Sequence, residues 1–143
     1  MSKKFSCLSV INTNARSLCP KIDSLLDCIT ETESAISIVT ETWMKDGKEL
    51  EQLTQDLSLG AGVGMCNRNR QPNDRVFAHG GVAILWKENT CRLQEIKLKV
   101  PNAAAYEVLT TTGALHGHTR KLVVLGCYIP PNYTKRKGQK LCP

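Results

Sequence analysis

Residues 20–41 read PKIDSLLDCITETESAISIVTE, and this stretch decides the fold class of the chain. Its first half repeats apolar residues at the i, i+3, i+4, i+7 spacing of an amphipathic helix. These residues are Ile22, Leu25, Leu26 and Ile29. Pro20 stands where such a helix can begin. Residues 35–39 are a short apolar run rich in β-branched residues, so the second half predicts a buried strand.

The segments on either side of this stretch extend an alternation of strand and helix. Residues 5–11, Phe-Ser-Cys-Leu-Ser-Val-Ile, predict a buried strand that ends at the turn-like cluster of residues 12–14. The segment Asp46 to Leu57 predicts a second, more polar helix. The order strand, helix, strand, helix is typical of an α/β fold, in which neighbouring strands are joined by a right-handed crossover.

The character of the chain changes after residue 60. Residues 60–64 form a glycine-rich break, and residues 67–74 form a polar loop without periodicity. Four strand-like runs follow, at residues 81–86, 93–100, 106–112 and 121–128. They predict an antiparallel meander in which Lys97 and Lys99 face water, with Gly113 and Gly117 separating the later runs. The tail from Thr134 to Pro143 is expected to be disordered.

Size and composition limit the chain to one core. A length of 143 residues with 41% hydrophobic residues supports one domain or part of one. The sequence has no apolar run of about 18 residues, so we expect a soluble intracellular protein, nuclear or cytoplasmic, without a membrane partner. Seven cysteines without a Cys-x-x-Cys pair are interpreted as reduced thiols that fill the core, not as disulfides or zinc ligands.

The net charge of +6 is unevenly distributed. Residues 1–65 hold 6 Lys and Arg against 9 Asp and Glu, whereas residues 66–143 hold 13 against 4. A basic second half is compatible with a partner rich in phosphate, because neutralised phosphates release counterions. A lysine-rich surface that only contacts water explains the same charge equally well.

Three polar residues stand where predicted strands end, the position from which loops present side chains to a cleft. Asn14 closes the first strand, Glu41 closes the second, and Tyr128 closes the last. Each has an ordinary structural explanation. Asn14 would serve as a turn former or helix cap, Glu41 as a solvated carboxylate, and Tyr128 as a plug at the edge of the core.

The segments that carry these residues resemble the endonuclease/exonuclease/phosphatase family, in particular the apurinic-like endonucleases of LINE-type (non-LTR) retrotransposons. The matching strings are Asn14-Ala15-Arg16-Ser17-Leu18, Thr40-Glu41-Thr42-Trp43, Gly80-Gly81-Val82-Ala83-Ile84-Leu85 and Tyr128-Ile129-Pro130-Pro131. They occur in the family's order between about residue 5 and residue 132. The resemblance implies a truncated four-layer α/β sandwich, made of the first sheet plus part of the second, in residues 1–132, followed by a basic tail in residues 133–143.

The same resemblance implies a chemistry. Asn14 is expected to help hold the metal and the scissile phosphate, Glu41 to be the metal ligand, and Tyr128 to lie against the phosphate. The cofactor would be Mg²⁺, or Mn²⁺ in its place, because hard cations prefer oxygen ligands and bind with few carboxylates. The partner would be DNA, contacted through its phosphate backbone, and the reaction would be hydrolysis of a phosphodiester.

Further residues are candidates because of their position in the sequence. Arg68, Arg70 and Arg75 are candidates for phosphate contacts, with a solvated loop as the alternative. His116 and His118 form a His-x-His pair that we interpret as part of a surface turn and not as a metal site. Residues 80–81, two glycines, are expected to relieve crowding where a strand begins beside a packed loop.

The family pattern continues beyond the strings found in this sequence. It includes a Gly-Asp-x-Asn segment and a Ser-Asp-His segment, and neither occurs here; no Asp follows Asp74 and no His follows His118. The resemblance therefore implies a fragment that is inactive and only marginally stable alone, with the missing half-domain packing on it and no other obligate protein partner. The alternatives are a non-catalytic nucleic-acid-binding module and an inert relic of a mobile element.

Overall fold

The structure is a computed structural model that describes residues 7–44, 48–55, 57–64, 80–96 and 107–129. Its strands are β1 (Val10–Asn14), β2 (Ile36–Thr40), β3 (Leu59–Gly64), β4 (Val82–Lys87), β5 (Cys91–Ile96), β6 (Glu107–Leu115) and β7 (Lys121–Tyr128). Its helices are α1 (Ile22–Thr32) and α2 (Lys48–Gln55), and a short 3-10 turn at Cys19–Lys21 leads into α1. Within these residues, no helix has the length and apolar character needed to cross a membrane.

The described strands form a four-stranded sheet, called sheet A, and a three-stranded sheet, called sheet B. Sheet A has the order β1-β2-β4-β3, with β1 and β2 parallel and β4 antiparallel to both of its neighbours. Sheet B is the antiparallel meander β5-β6-β7. The parallel start and the later meander confirm the two halves of the sequence prediction, with two corrections. The strand at residues 81–86 belongs to sheet A and not to the meander, and β6 continues through Gly113, which was expected to separate two runs.

Sheet A is covered on both faces. On one face, Ile22, Leu25 and Ile29 of α1 pack in a buried cluster with Val39 of β2 and Leu85 of β4. On the other face, a second cluster joins sheet A to sheet B. Its members include Ile36, Val82, Ile84 and Trp86 from sheet A, and Leu93, Leu109, Val124 and Tyr128 from sheet B. The chain therefore stacks helices, sheet A and sheet B in that order.

The outer face of sheet B differs, because apolar side chains of β7 and the residue after it remain exposed there. Val123 is 60% exposed, Leu125 51% and Ile129 43%. Along β7 these positions alternate with the buried residues Val124, Gly126 and Tyr128, as successive side chains of a strand point to opposite faces.

The helix prediction holds for α1 in detail. Its predicted apolar positions Ile22, Leu25 and Ile29 are buried, and Leu26 packs at the edge of the same cluster. The helix ends at Glu33, a left-handed residue with φ +51° whose backbone N–H donates to the carbonyls of Ile29 and Thr30. The second helix is also present, but it ends at Gln55, and Leu57 lies beyond it.

Two further predictions about the strands were wrong. Of the predicted strand at residues 5–11, residues 5–6 lie outside the described residues and residues 7–9 are not in a strand. Strand β1 begins at Val10, runs through the turn-like residues 12–14, and leaves Val10 49% exposed at the edge of sheet A. The glycine-rich break is strand β3, paired with β4 along its whole length. Glycine suits this strand because a Cβ at Gly60 would lie 2.1 Å from the Trp86 ring, which covers the backbone there.

Several predictions lie outside the described residues. They concern the phosphate-contact candidates Arg68, Arg70 and Arg75, the polar loop at residues 67–74, the lysines at positions 97 and 99, and the tail after residue 133.

The two ends of this stack are built differently. The loop end is where β1, β2 and β7 finish and β4 begins; it comprises residues 14–18, 40–44, 80–82 and 128–129. The hairpin end is opposite and comprises the turns at residues 88–90 and 116–120 together with residues 33–35 and 57–58.

Candidate active site

Parallel pairing of β1 and β2 brings two of the candidate residues to one edge of sheet A. Asn14, the last residue of β1, is the register partner of Thr40, and Glu41 directly follows Thr40. The N–H of Ala15 donates to the carbonyl of Thr40 at 2.9 Å, so the pairing continues past the strand end. Asn14 and Glu41 therefore lie at the loop end, on adjacent strands, which is where ligands bind in open α/β sheets.

The backbone of Glu41 and its neighbours is held from two sides. From the β1 side, the N–H groups of Ser17 and Leu18 donate to the carbonyls of Glu41 and Thr42, each at 2.9 Å. From the β4 side, the carbonyl of Gly80 accepts a hydrogen bond from the N–H of Trp43 at 2.9 Å. Three segments that are distant in sequence thus form one irregular hydrogen-bonded ladder around Glu41.

This ladder contains an unusual number of left-handed residues. Glu41 has φ +52° and Trp43 has φ +53°, while Arg16 and Ser17 have φ +45° and +82°. A non-glycine residue held in this region costs of order 1–3 kcal/mol, and such residues concentrate at functional sites because the surrounding contacts must impose them. The glycines at residues 80–81 also have positive φ, +96° and +90°, a conformation that glycine adopts without the strain of a Cβ.

Tyr128 reaches Glu41 from the other sheet. Its hydroxyl donates a hydrogen bond to Oε1 of Glu41 at 2.7 Å, across 87 positions of sequence. The tyrosine side chain is only 9% exposed, whereas Glu41 is partly exposed. Close contact between the sheets is possible because residue 126 is glycine: a Cβ there would lie 2.6 Å from Cγ1 of Val82. The structure thus brings Glu41 and Tyr128 into contact at the end of the stack that also carries Asn14.

The remaining histidine candidates lie elsewhere. His116 and His118 are exposed in the β6–β7 turn at the hairpin end, as predicted for a surface turn. The His116 ring nitrogen Nε2 lies 2.6 Å from the carbonyl oxygen of Glu88, which gives it a structural contact. In the part of the chain that the structure describes, no group of three or more His, Cys, Asp or Glu side chains is arranged to enclose a metal ion.

Burial shifts the acidity of two thiols in opposite regions of the stack. Burial raises the pKa of the Cys91 thiol from its usual 9.0 to about 11, and the nearby charge of Glu88 adds to the shift. Burial also raises the pKa of the Cys127 thiol, next to Tyr128. Neither thiol is therefore an activated nucleophile at neutral pH. The described cysteines are reduced thiols, as predicted, but the prediction that they fill the core was wrong: Cys91 is buried, whereas Cys7, Cys19, Cys28 and Cys127 are exposed.

Sequence reasoning missed one side chain at the loop end. The ammonium of Lys21 donates to the carbonyl oxygen of Ala15 and, at 3.3 Å, to that of Arg16. The left-handed backbone at Arg16 and Ser17 has no signature in the sequence, because neither residue is glycine or asparagine. Without that backbone, Lys21 reads only as a charge at the start of a helix.

The loop end carries oxygen donors of the kind that Mg²⁺ prefers. Glu41 supplies a partly exposed carboxylate and Asn14, exposed at the end of β1, supplies an amide oxygen. Mg²⁺ is commonly held by one or two carboxylates, with water and substrate phosphate as its other ligands. A carboxylate also has lone pairs enough to accept the Tyr128 hydrogen bond and bind a cation together.

Comparison with known proteins identifies the fold. No protein-family model and no curated protein sequence matches the chain. Solved structures do match: the 3′ phosphatase NExo from Neisseria bound to a product DNA hairpin is 10% identical with a TM-score of 0.52, covering 82% of this chain and 40% of its own. TDP2 from D. rerio, complexed with a single-strand DNA product, is 12% identical with a TM-score of 0.54, covering 84% and 45%.

The catalytic domain of human Nocturnin with a bound sulfate anion is also similar, at 12% identity and a TM-score of 0.53, covering 75% of this chain and 41% of that domain. These neighbours share the endonuclease/exonuclease/phosphatase fold, and the chain is similar to them in fold. The chain spans half or less of the length of the solved structures it matches.

Proposed function

We propose that this chain is the first part of a metal-dependent endonuclease domain that hydrolyses phosphodiester bonds in DNA, of the kind found in LINE-type retrotransposons. The observation that carries the proposal is the 2.7 Å hydrogen bond from Tyr128 to Glu41 at the strand end that also bears Asn14. Three side chains expected from separate strings of sequence lie on strands that converge at this end. The fold of the neighbours and their DNA products support the same substrate class.

In this proposal, Glu41 and Asn14 hold Mg²⁺, or Mn²⁺ in its place. The bound cation would polarise a phosphoryl oxygen and stabilise the leaving oxygen. Tyr128 fixes the orientation of the Glu41 carboxylate through its hydroxyl and lines the position of the phosphate. Because the backbone of Glu41 is held on both sides, the carboxylate is placed before the ligand arrives, which lowers the ordering cost of binding.

The proposal assigns activity to a larger assembly. The Gly-Asp-x-Asn and Ser-Asp-His segments would come from a half-domain that packs against the exposed apolar positions of β7, where Val123 and Leu125 are more than half exposed. General acid and base groups contribute about 10²–10⁴-fold to such reactions. We therefore expect the chain by itself to bind the cation and to be inactive, or nearly so, in cleaving DNA.

A cation-binding measurement tests this proposal. We expect the wild-type chain to bind Mn²⁺, followed by the loss of the free-ion electron paramagnetic resonance signal, and Glu41→Gln to weaken that binding at least tenfold. Glu33→Gln is a matched control, because Glu33 is also a left-handed glutamate, φ +51° against +52°, but is exposed at the hairpin end. Equal affinity for the Glu41→Gln variant and the wild type would refute the assignment.

A DNA-binding measurement separates the endonuclease reading from a plain nucleic-acid-binding module. We expect the wild-type chain to bind a DNA duplex more tightly with Mg²⁺ than without, and Glu41→Gln to lose that difference. Binding that depends on salt but is indifferent to both Mg²⁺ and Glu41 would instead favour the module.

A further inference from the structure

The loop that follows β1 is held in a conformation that its own residues do not favour. Arg16 and Ser17 are consecutive left-handed residues, with φ +45° and +82°, and neither is glycine. An isolated segment of this composition would leave that conformation, because the left-handed region is unfavourable for residues with a Cβ. Contacts from outside the loop must therefore impose it.

Lys21 provides such a contact. Its ammonium donates hydrogen bonds to two consecutive carbonyl oxygens, those of Ala15 and Arg16, from a position five and six residues along the chain. Hydrogen bonds from a charged donor are stronger than those between neutral groups. Since both acceptors belong to the left-handed turn, the ammonium joins the two carbonyls that this turn brings together.

The helix next to the loop does not explain a lysine at this position. Lys21 is the N-cap residue of α1 and makes no side-chain capping bond. A positive charge at a helix N-terminus opposes the helix dipole, so α1 would be better served there by serine, asparagine or aspartate. The side chain instead turns back from the helix toward the loop.

The same loop holds the backbone of the candidate metal ligand. The N–H of Ser17, one of the two left-handed residues, donates to the carbonyl of Glu41 at 2.9 Å, and the N–H of Leu18 donates to that of Thr42 at 2.9 Å. Two sets of hydrogen bonds thus link Lys21 to Glu41. The Lys21 ammonium donates to carbonyls of the loop, and amides of the loop donate to the carbonyls at positions 41 and 42.

We propose that Lys21 is a positioning residue for the cation site, acting by locking the Ala15–Leu18 loop and, through it, the backbone that presents Glu41. The inference rests on the proposed function, because it assumes that Glu41 binds the cation. Lys21 itself touches neither cation nor phosphate in this role.

The test compares three variants of the full chain by Mn²⁺ affinity, measured by electron paramagnetic resonance of the free ion. Lys21→Met keeps the length of the side chain and removes the charge, and we expect it to weaken Mn²⁺ binding about tenfold, as loss of a ligand's supporting partner commonly does. Lys21→Arg retains donors for both carbonyls and should recover most of the affinity. Lys121→Met, at the exposed start of β7 at the hairpin end, should leave the affinity unchanged.

Amide hydrogen exchange gives a readout that does not depend on the cation. In Lys21→Met, the amides of Ser17 and Leu18 should exchange faster than in the wild type, while amides in β6 should be unchanged. A chain that binds Mn²⁺ through Glu41 with equal affinity in the wild type and Lys21→Met would overturn the positioning role alone. A wild-type chain whose Mn²⁺ binding ignores Glu41→Gln would overturn the proposed function and this inference with it.

Discussion

The loop end and the hairpin end of the stack use left-handed residues for different purposes. At the hairpin end, the left-handed residue Glu33 closes a helix, and Gly117, with φ +79°, sits in a tight turn between β6 and β7. Each has a local explanation, because helix ends and hairpin turns commonly need such a residue. At the loop end, Glu41 and Trp43 close no described helix or hairpin. Long-range backbone hydrogen bonds hold this segment, and the Tyr128 hydroxyl holds the Glu41 side chain.

Under the proposed function, left-handed residues at the hairpin end contribute to stability, and those at the loop end also contribute to binding. A left-handed residue with a local purpose contributes to the fold that it terminates. A left-handed glutamate that neighbouring strands hold in place costs folding free energy. Under the proposed function, this conformation places the Glu41 carboxylate for the cation. The hairpin end should therefore respond to substitution through stability alone, and the loop end through binding as well.

The largest expected effect lies in sheet B on the hairpin side of β6. A Cβ at Gly113 would lie 1.8 Å from the carbonyl oxygen of Arg92 on β5, which is backbone and cannot move aside without breaking the ladder. We expect Gly113→Ala to lower the free energy of unfolding by more than about 3 kcal/mol. Urea denaturation followed by circular dichroism measures this. Gly117→Ala, with open space around it, should cost only about 1 kcal/mol.

The next effect compares the two left-handed glutamates directly. Both residues have positive φ, where glycine has no Cβ to clash. At each position we therefore expect the glycine variant to be about 1 kcal/mol more stable than the alanine variant. The pairs are Glu41→Gly with Glu41→Ala, and Glu33→Gly with Glu33→Ala. Urea denaturation of the four variants measures both differences. Both substitutions of Glu41, and neither of Glu33, should abolish Mn²⁺ binding. Loss of Mn²⁺ binding on substitution of Glu33 would contradict the division between the two ends.

The sequence predicted what depends on periodicity and on local turn chemistry. The spacing of Ile22, Leu25 and Ile29 indicated α1, and the strand-like run at residues 121–128 has the same bounds as β7. It also predicted Asn14, Glu41 and Tyr128 as candidate residues because they follow strand ends, and the first two lie side by side through parallel pairing of β1 and β2.

Other features could not be predicted because their causes are distant in sequence. Strand β3 forms despite three glycines since β4 supplies its hydrogen-bond partners and the Trp86 ring covers the space at Gly60. The left-handed backbone at Glu41 depends on the loop after β1 and on Gly80, both far from it along the chain. No window of residues 35–45 contains that information.

A smaller effect on stability is expected from removing the hydrogen bond between Tyr128 and Glu41. Tyr128→Phe removes the hydroxyl that donates to Glu41 but keeps the ring in the core. We expect the free energy of unfolding to fall by about 1 kcal/mol. This is small for a hydrogen bond to a charged acceptor, because Glu41 is partly exposed and water screens its charge. Mn²⁺ affinity should also fall, because the carboxylate is no longer oriented. Tyr128→Leu serves as a comparison, because it also removes the ring from the core and should lower the free energy of unfolding further. An equal decrease in the two variants would argue against the hydrogen bond.

The smallest effect at neutral pH concerns Cys91, a buried residue at the hairpin end. Its pKa is raised from 9.0 to about 11 in the folded chain by burial and, secondarily, by Glu88. The folded state therefore holds the thiol proton more tightly than the unfolded state does. Its contribution to stability is complete below pH 9 and is lost as the pH rises from 9 through about 11.

Urea midpoints of wild type and Cys91→Ala, measured from pH 7 to 11, should converge above pH 9, whereas Mn²⁺ binding between pH 7 and 8 should be the same in both. A constant difference in midpoint across that range would show that the thiol is not held in its neutral form by the fold.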